Sequence, residues 1–510
     1  MKVFIEKYWK EGALFSVIFA IYTLCCTPNM TWIGYDCDLG DFLNSARFAM
    51  VTHFPGYPFY TMITWLAARI PIGSEAFRLA FFVSVIPAIL SVIIVYFVVR
   101  KQTANKFAPY IAALCLAGAN VFFMQAIIPE TYVFTAFIAI STYALIVYKK
   151  WRLSALFGGL TFACHWMMVP FVLFLFVYYK DFRKQWKILI SAAILSYLYV
   201  IILGVMGNSL SMVGGGTNQF IHFILGSLIG NMSGWLSLPI WQLPQRIGLT
   251  IALFCVAFGV AVIPMIMYFR DFRKSRVLIA GAFIPFIYYF GCFQPIAIHH
   301  FAMAIPFMAV AAGLGITQIK SEKLKKYLSF GAIGVSSCLL IAMPFYYDIG
   351  VNLDKNLTAT QFANTLPSLP NGSVVLNILR VDNGNKSIYA NGGYGYTTIK
   401  QYDKEHNANL IPIDSLTYSS EERMFAYVDY GEYYRQQIYK DYGFIPATPC
   451  WSCFNTTPYN LSTTIEQYSG ILSTLLENLS VANPNRSIYY YEQNVDDIYG
   501  GSLVKVGGNQ

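Results

Sequence analysis

Three carboxylates fall within six residues in the stretch Gly34-Tyr35-Asp36-Cys37-Asp38-Leu39-Gly40-Asp41-Phe42. The stretch lies between two long apolar runs, so these acids sit at a membrane edge. Acids there are costly unless they face water, a cation or a substrate. A carboxylate in such a place can take the proton of an attacking hydroxyl, which is general-base chemistry. It can equally be one member of a solvated acidic loop. From Asp41 onward Phe42, Leu43, Ala46, Phe48 and Ala49 predict an amphipathic helix lying on the membrane. That helix must end at His53-Phe54-Pro55-Gly56-Tyr57-Pro58, where two prolines around a glycine lock a turn and hold His53 near the carboxylates. A second surface helix, about 58–70, returns the chain to the next apolar run.

Other polar groups stand at the same ends of the apolar segments. Glu130 can position a sugar hydroxyl or a cation, or simply cap the helix that begins beside it. His165 interrupts an apolar hairpin and is either a ligand-facing or a packing histidine. Arg47, Arg78, Arg246 and the adjacent pair His299 and His300 are the cations available to hold a phosphate. Arginine grips phosphate bidentately, and histidine donates through either ring nitrogen. Arg246 equally suits snorkelling from the end of an apolar helix.

The elements that must position these groups are membrane helices. Of the 510 residues 56% are hydrophobic and 12% charged, with a mean hydropathy of +0.50. Soluble domains carry about a quarter charged residues, so a soluble protein is excluded. An aromatic content of 17% excludes disorder and coiled coil. Runs near twenty apolar residues predict full spans at 11–28, 77–99, 107–128, 131–148, 186–206, 245–269, 276–293, 297–318 and 327–347. Two shorter runs, 153–164 and 166–179, predict a hairpin with Cys164-His165-Trp166 at its apex. The count is thus about eleven membrane segments.

The net charge of +9 tempts one toward nucleic acid, but its distribution contradicts that partner. Six clusters hold 21 of the 35 Lys and Arg: Lys2/Lys7/Lys10, Arg100/Lys101/Lys106, Lys149/Lys150/Arg152, Lys180/Arg183/Lys184/Lys187, Arg270/Arg273/Lys274/Arg276 and Lys320/Lys323/Lys325/Lys326. They alternate with the spans and carry only Glu6, Glu11, Asp181, Asp271 and Glu322 as acids. The positive charge is therefore a topology signal, with the N-terminus cytoplasmic and the C-terminus outside. The first apolar run ends in Cys25-Cys26-Thr27-Pro28 without a small-x-small cleavage pattern, which predicts a retained helix.

Residues 1–347 are expected to form a transmembrane domain, with a catalytic first external loop at 29–76 and a second large external loop at 207–244. Residues 348–510, rich in Tyr, Asn, Ser and Gly, are expected to be a small extracytoplasmic α/β domain. Strands are expected at Ser373–Leu379 and Ser487–Tyr491, and a helix over 421–442. Cys450 and Cys453 stand outside in an oxidising place and predict a disulfide. Nine N-x-[ST] sites occur, at Asn29, Asn231, Asn356, Asn371, Asn385, Asn455, Asn460, Asn478 and Asn485, all on segments expected outside. The last seven lie in the C-terminal domain, where about three would arise by chance, so they are candidate glycosylation sites. Asp36, Asp38, Asp41 and Glu130 are hard oxygen donors that suit Mg²⁺ or Mn²⁺, but acidic clusters work equally without metal. The metal question stays open. No nucleotide-binding fingerprint follows a predicted strand.

In its first 180 residues the chain resembles the GT-C superfamily of polyprenyl-phosphate-sugar-dependent glycosyltransferases, and in particular the protein O-mannosyltransferase-like family. Asp38-Leu39-Gly40-Asp41 is similar to that family's D-S-G-E, and His53-Phe54-Pro55-Gly56-Tyr57-Pro58 to its P/H-P-P-G-Y-P at the family's spacing. Arg78 matches an arginine before the second span. Pro129-Glu130-Thr131-Tyr132-Val133 resembles A-E-V-Y, and Gly159-Leu160-Thr161-Phe162-Ala163-Cys164-His165 resembles G-L-x-L-G-N-H. Leu39, Asp41, Phe54 and Cys164 depart from the pattern, and the shorter Asp41 weakens the carry-over there.

The resemblance implies a polytopic α-helical membrane protein of GT-C fold and an inverting glycosyl transfer. The donor would be a polyprenyl- or dolichyl-phosphate sugar, with mannose the family's sugar. The acceptor would be a hydroxyl of an exported protein or of a lipid-linked glycan on the outer face. Asp38 is the implied general base, with Asp41 and Glu130 as catalytic companions. Asp36, His53, Arg78, His165, Arg246, His299 and His300 are the implied substrate-binding set. Two other classes compete. A transporter would normally show two similar halves, which the sequence lacks, and a receptor or scaffold needs no such polar constellation.

Overall fold

The computed structural model describes residues 2–26, 42, 46, 57–73, 75–206, 243–291, 298–346, 368–370, 373–380, 411–413, 416–418, 424–426, 480–481, 484–494 and 501–506. The chain divides into two compact units. One holds Met1–Thr27, Pro55–Ile202 and Thr217–Ile349; the other holds Pro28–Phe54, Leu203–Gly216 and Gly350–Gln510.

The first unit is helical. Helix α1 (Lys2–Leu24) is followed by the short helix α2 (Pro58–Ala67) and by α3 (Glu75–Leu79). A π-helical stretch, Ala80–Val85, joins α3 to α4 (Ile86–Gln102). Next come α5 (Ala108–Gly118), α6 (Asn120–Ala126), α7 (Thr131–Val147), α8 (Trp151–Cys164), α9 (Val169–Tyr178) and α10 (Trp186–Met206). The described chain resumes with α11 (Leu243–Phe258), α12 (Val262–Arg270), α13 (Phe272–Gly291), α14 (Ile305–Gly315) and α15 (Glu322–Tyr346).

Among the described residues Phe77–Gln102, Thr250–Arg270 and Glu322–Phe345 are long and apolar enough to cross a membrane. At 1.5 Å per residue such lengths cover a hydrocarbon core about 30 Å thick. Thr131–Val147, Trp186–Leu198 and Ile305–Gln318 are shorter apolar helices. Large apolar side chains such as Ile194 (57% exposed), Leu195 (65%) and Val177 (73%) face outward, as lipid-facing residues do. The chain is an integral membrane protein.

Three expectations change. The span expected at 107–128 is broken: α5 and α6 meet at a bend of 63° around Ala119. The hydroxyl of Tyr22 donates to the Ala117 carbonyl at 2.9 Å, and the Asn120 side chain accepts from the Val121 N–H at 2.8 Å, so the break does not leave its polar groups bare. The segment expected as a span at 297–318 opens as a 3-10 turn, Ile298–Met303, before α14 begins. The helix expected over 421–442 is contradicted at its start, where Met424–Ala426 are a strand; the rest of that stretch lies outside the described residues.

Close helix packing uses glycines as membrane proteins do. A Cβ on Gly315 would collide with the Pro264 carbonyl of α12, and one on Gly118 would lie 2.5 Å from the Ser336 carbonyl of α15. Near the basic end of α4, Glu11 accepts from the Tyr96 hydroxyl at 2.8 Å and pairs with Arg100 at 3.1 Å. Arg100 thus ties α1 to α4 besides marking the positive side.

In the second unit β1 (Val374–Arg380) pairs in parallel with β2 (Ile411–Ile413) and with β5 (Ile488–Asn494), and β6 (Gly501–Val506) runs antiparallel on the far side of β5. β3 (Leu416–Tyr418) and β4 (Met424–Ala426) form a separate antiparallel pair. The two strands expected from sequence are β1, shifted by one residue, and β5, which runs three residues further than expected. Asn485 lies exposed in the turn that leads into β5.

Candidate functional site

The site gathers around Tyr132, in the first turn of α7. That helix starts at Thr131 because Pro129 and an extended Glu130 (φ −122°, ψ 154°) end the preceding α6 turn. Glu130 is 5% exposed. Its side chain makes no capping hydrogen bond to the first turn of α7. Its charge still stands at a helix N-terminus, where anions are favoured.

His165 comes from the expected hairpin. α8 stops at Cys164, His165 is extended (φ −156°, ψ 125°), and a 3-10 turn Trp166–Met168 leads into α9, which has a proline in its first turn. His165 is 3% exposed, and the backbone N–H of Met167 donates to its Nδ1 at 3.2 Å. An accepting Nδ1 leaves the proton of the neutral ring on Nε2, which is thereby a donor.

His300 comes from the 3-10 turn before α14. The turn is held by a fully buried run, Ala302 to Val310, and by the Phe307 ring, which packs against Phe171 at 4.9 Å and Tyr143 at 6.4 Å. The Tyr132 hydroxyl lies 3.2 Å from Nε2 of His300. The Tyr132 ring centroid is 4.7 Å from that of His300 and 5.5 Å from that of His165, and the two imidazoles are 6.5 Å apart.

Tyr57 closes the group, with its ring 5.3 Å from His165. It precedes α2 in a left-handed conformation (φ 36°, ψ 61°), which is uncommon for a residue with a side chain. α2 is docked through Phe59 and Tyr60, each 5.7 Å from Phe134 of α7. Tyr57, the residue before α2, thus delivers a ring to the site.

Of the sequence-derived candidates, His165 and His300 are brought together, with Glu130 two residues before the tyrosine that joins them. Arg78 stands apart on α3, donating from Nη1 to the Gly73 carbonyl at 3.2 Å. The side chains of Arg246 and His299 lie outside the described residues, as do Asp36, Asp38, Asp41, Arg47, His53, Cys450 and Cys453. Among the sequons, Asn29, Asn231, Asn356, Asn371, Asn385, Asn455, Asn460 and Asn478 also lie outside them. Among the described residues no group of three His, Cys, Asp or Glu is placed to hold a metal ion. Tyr57 and Tyr132 were not singled out from sequence, although both stand inside the motifs quoted for their neighbours.

Two imidazoles and two phenols at the ends of apolar helices make a small, poorly hydrated patch of hydrogen-bond donors and acceptors. Such a patch can orient an oxygen-rich ligand and shuttle a proton.

No protein-family model matches the chain, and no curated protein does. Solved structures give looser likenesses. The chain is similar to the crystal structure of ArnT from Cupriavidus metallidurans bound to undecaprenyl phosphate, with 15% identity and a TM-score of 0.44 over 68% of this chain and 66% of that one. It is also similar to ArnT from the same organism in the apo state, with 15% identity and a TM-score of 0.43 over 70% of this chain and 69% of that one. The chain thus spans just under two thirds of the length of the first.

Proposed function

We propose that the chain is an inverting glycosyltransferase of GT-C type. It moves a sugar, mannose on the resemblance of its motifs, from a polyprenyl- or dolichyl-phosphate carrier to a hydroxyl on the outer face. The acceptor is an exported protein or a lipid-linked glycan. The observation that carries this reading is the meeting of Tyr57, Tyr132 and His165 from three separate motif segments, joined by His300 from a fourth part of the chain.

In this reading Asp38 takes the proton of the acceptor hydroxyl as it attacks the anomeric carbon. Glu130 and His165 orient the sugar. His300 receives the phosphate that departs as an anion.

The test is transfer by the purified protein from a radiolabelled polyprenyl-phosphate sugar to a hydroxyl acceptor. Labelled product lost in His165→Ala but kept in a surface variant such as Lys101→Ala is the expected result. A protein that moves solute across vesicles without forming labelled product would instead be a transporter, the reading that the bend at Ala119 favours.

A further inference from the structure

Arg276 has no counter-ion among the described residues. Its guanidinium lies over the ring of Tyr178, 4.0 Å from the centroid. Its Nε is buried and makes no hydrogen bond among the described residues. The two acids close to it in sequence and on the facing segment are already engaged. Asp271 pairs with Lys274 at 2.9 Å, and Asp181 pairs with Lys184 at 2.8 Å. The hydrogen bonds from these lysines hold both carboxyls below their usual range.

A guanidinium with a buried, idle N–H is expensive, and an anion is the natural relief. The setting says which anion. Tyr178 ends α9, whose Leu173 and Val177 are 56% and 73% exposed, and Phe272 at the start of α13 is 65% exposed. Just beyond them the exposed basic residues Lys180, Arg183 and Arg273 rim the same end of the helices. An apolar, outward-facing wall ending in a basic rim matches acyl chains below and a charged headgroup above. The aromatic platform is itself stiffened: Phe174 stacks on Tyr178 at 5.6 Å, and Tyr179 packs edge-on at 4.7 Å. The ten residues of α9 separate this pair from His165, a helical rise of about 15 Å, so it is not part of the site around Tyr132.

We propose that Arg276 and Tyr178 form a binding site for the phosphate of an anionic phospholipid in the leaflet at the basic face of the protein. The guanidinium grips the phosphodiester, Tyr178 fixes the guanidinium plane, and the exposed wall of α9 carries the acyl chain. This inference does not depend on the proposed transfer reaction.

Native mass spectrometry of the delipidated full-length protein, titrated with phosphatidylglycerol or phosphatidylcholine, tests it. The wild type should prefer phosphatidylglycerol by about tenfold, the size of one charge-assisted contact. Arg276→Gln should bring that preference close to unity, and Arg273→Gln should leave it nearly intact. Should Arg276→Gln not fold, Tyr178→Leu replaces it, since it removes the platform without removing a charge, and it should lower the preference several-fold. Equal binding of both lipids by the wild type would overturn the proposal. So would an equal loss in Arg273→Gln, which means diffuse surface charge. Displacement of the lipid by millimolar inorganic phosphate would also overturn it, because the site would then belong to a free anion.

Discussion

The hydroxyl of Tyr132 stands 3.2 Å from Nε2 of His300, and the ring that carries it packs against both that imidazole and the one of His165. One side chain therefore couples two segments more than 130 residues apart. Tyr132→Phe keeps the ring against both imidazoles and removes only the hydroxyl. Transfer should fall about tenfold, in line with one lost hydrogen bond, with little change in thermal stability. In a double-mutant cycle with His300→Ala the two losses should not add, because both remove the same contact. Additive losses would separate the two residues functionally.

Asp38→Asn should lower transfer by about 10²–10⁴, the usual size of a general-base loss, while donor binding survives. The amide retains the carboxylate's outline and cannot take a proton. Asp36→Asn serves as control and should cost much less. Near-equal, small effects at Asp36, Asp38 and Asp41 would return the acids to the reading of a solvated loop.

Glu11 sits 9% exposed between the Tyr96 hydroxyl and Arg100. Glu11→Ala leaves a phenol and a guanidinium facing a void at the ends of α1 and α4. Stability in detergent should drop by about 1–3 kcal/mol, less than for a fully buried pair because Arg100 keeps 38% of its side-chain surface. Glu11→Gln, which still accepts from Tyr96, should recover part of it. Thermal unfolding of the three proteins in one detergent measures the order.

The exposed Lys505 lies on the edge strand β6, opposite Tyr489. Lys505→Cys should react with a membrane-impermeant maleimide in intact cells, because the C-terminal unit is proposed to lie outside. In a host with N-glycosylation, Asn485→Gln should remove one glycan's mass. Labelling only after lysis would invert the proposed orientation.

What sequence reasoning could read depended on how local the signal was. The hairpin at His165 was legible because two apolar runs too short to span flank a polar residue, and α8 and α9 end within a residue or two of those bounds. The strands β1 and β5 were legible from short apolar runs bounded by turn residues. The roles of Tyr57 and Tyr132 were not. An aromatic in an apolar stretch reads as core, and only the approach of distant segments turns it into a site residue. The bend at Ala119 left no proline behind to announce it. The Ala117 carbonyl beside it is satisfied by Tyr22, 95 residues away. The strand at Met424–Ala426 sits in a stretch whose pattern suits a helix. Its form is decided by pairing with Leu416–Tyr418, which a helical reading cannot see.

Tyr57 pays for its place with a left-handed backbone, a conformation that costs a residue with a side chain about 1–2 kcal/mol. Released from its neighbours, residue 57 would relax to an ordinary backbone and swing its ring away from His165. What holds it is the seating of Phe59 and Tyr60 on Phe134, on a short helix that also exposes Leu66. The wall of the site is therefore only as firm as the grip of this short helix on α7. A detergent that lifts this helix would disarm the protein while every membrane span stayed folded, and restoring a bilayer would re-arm it.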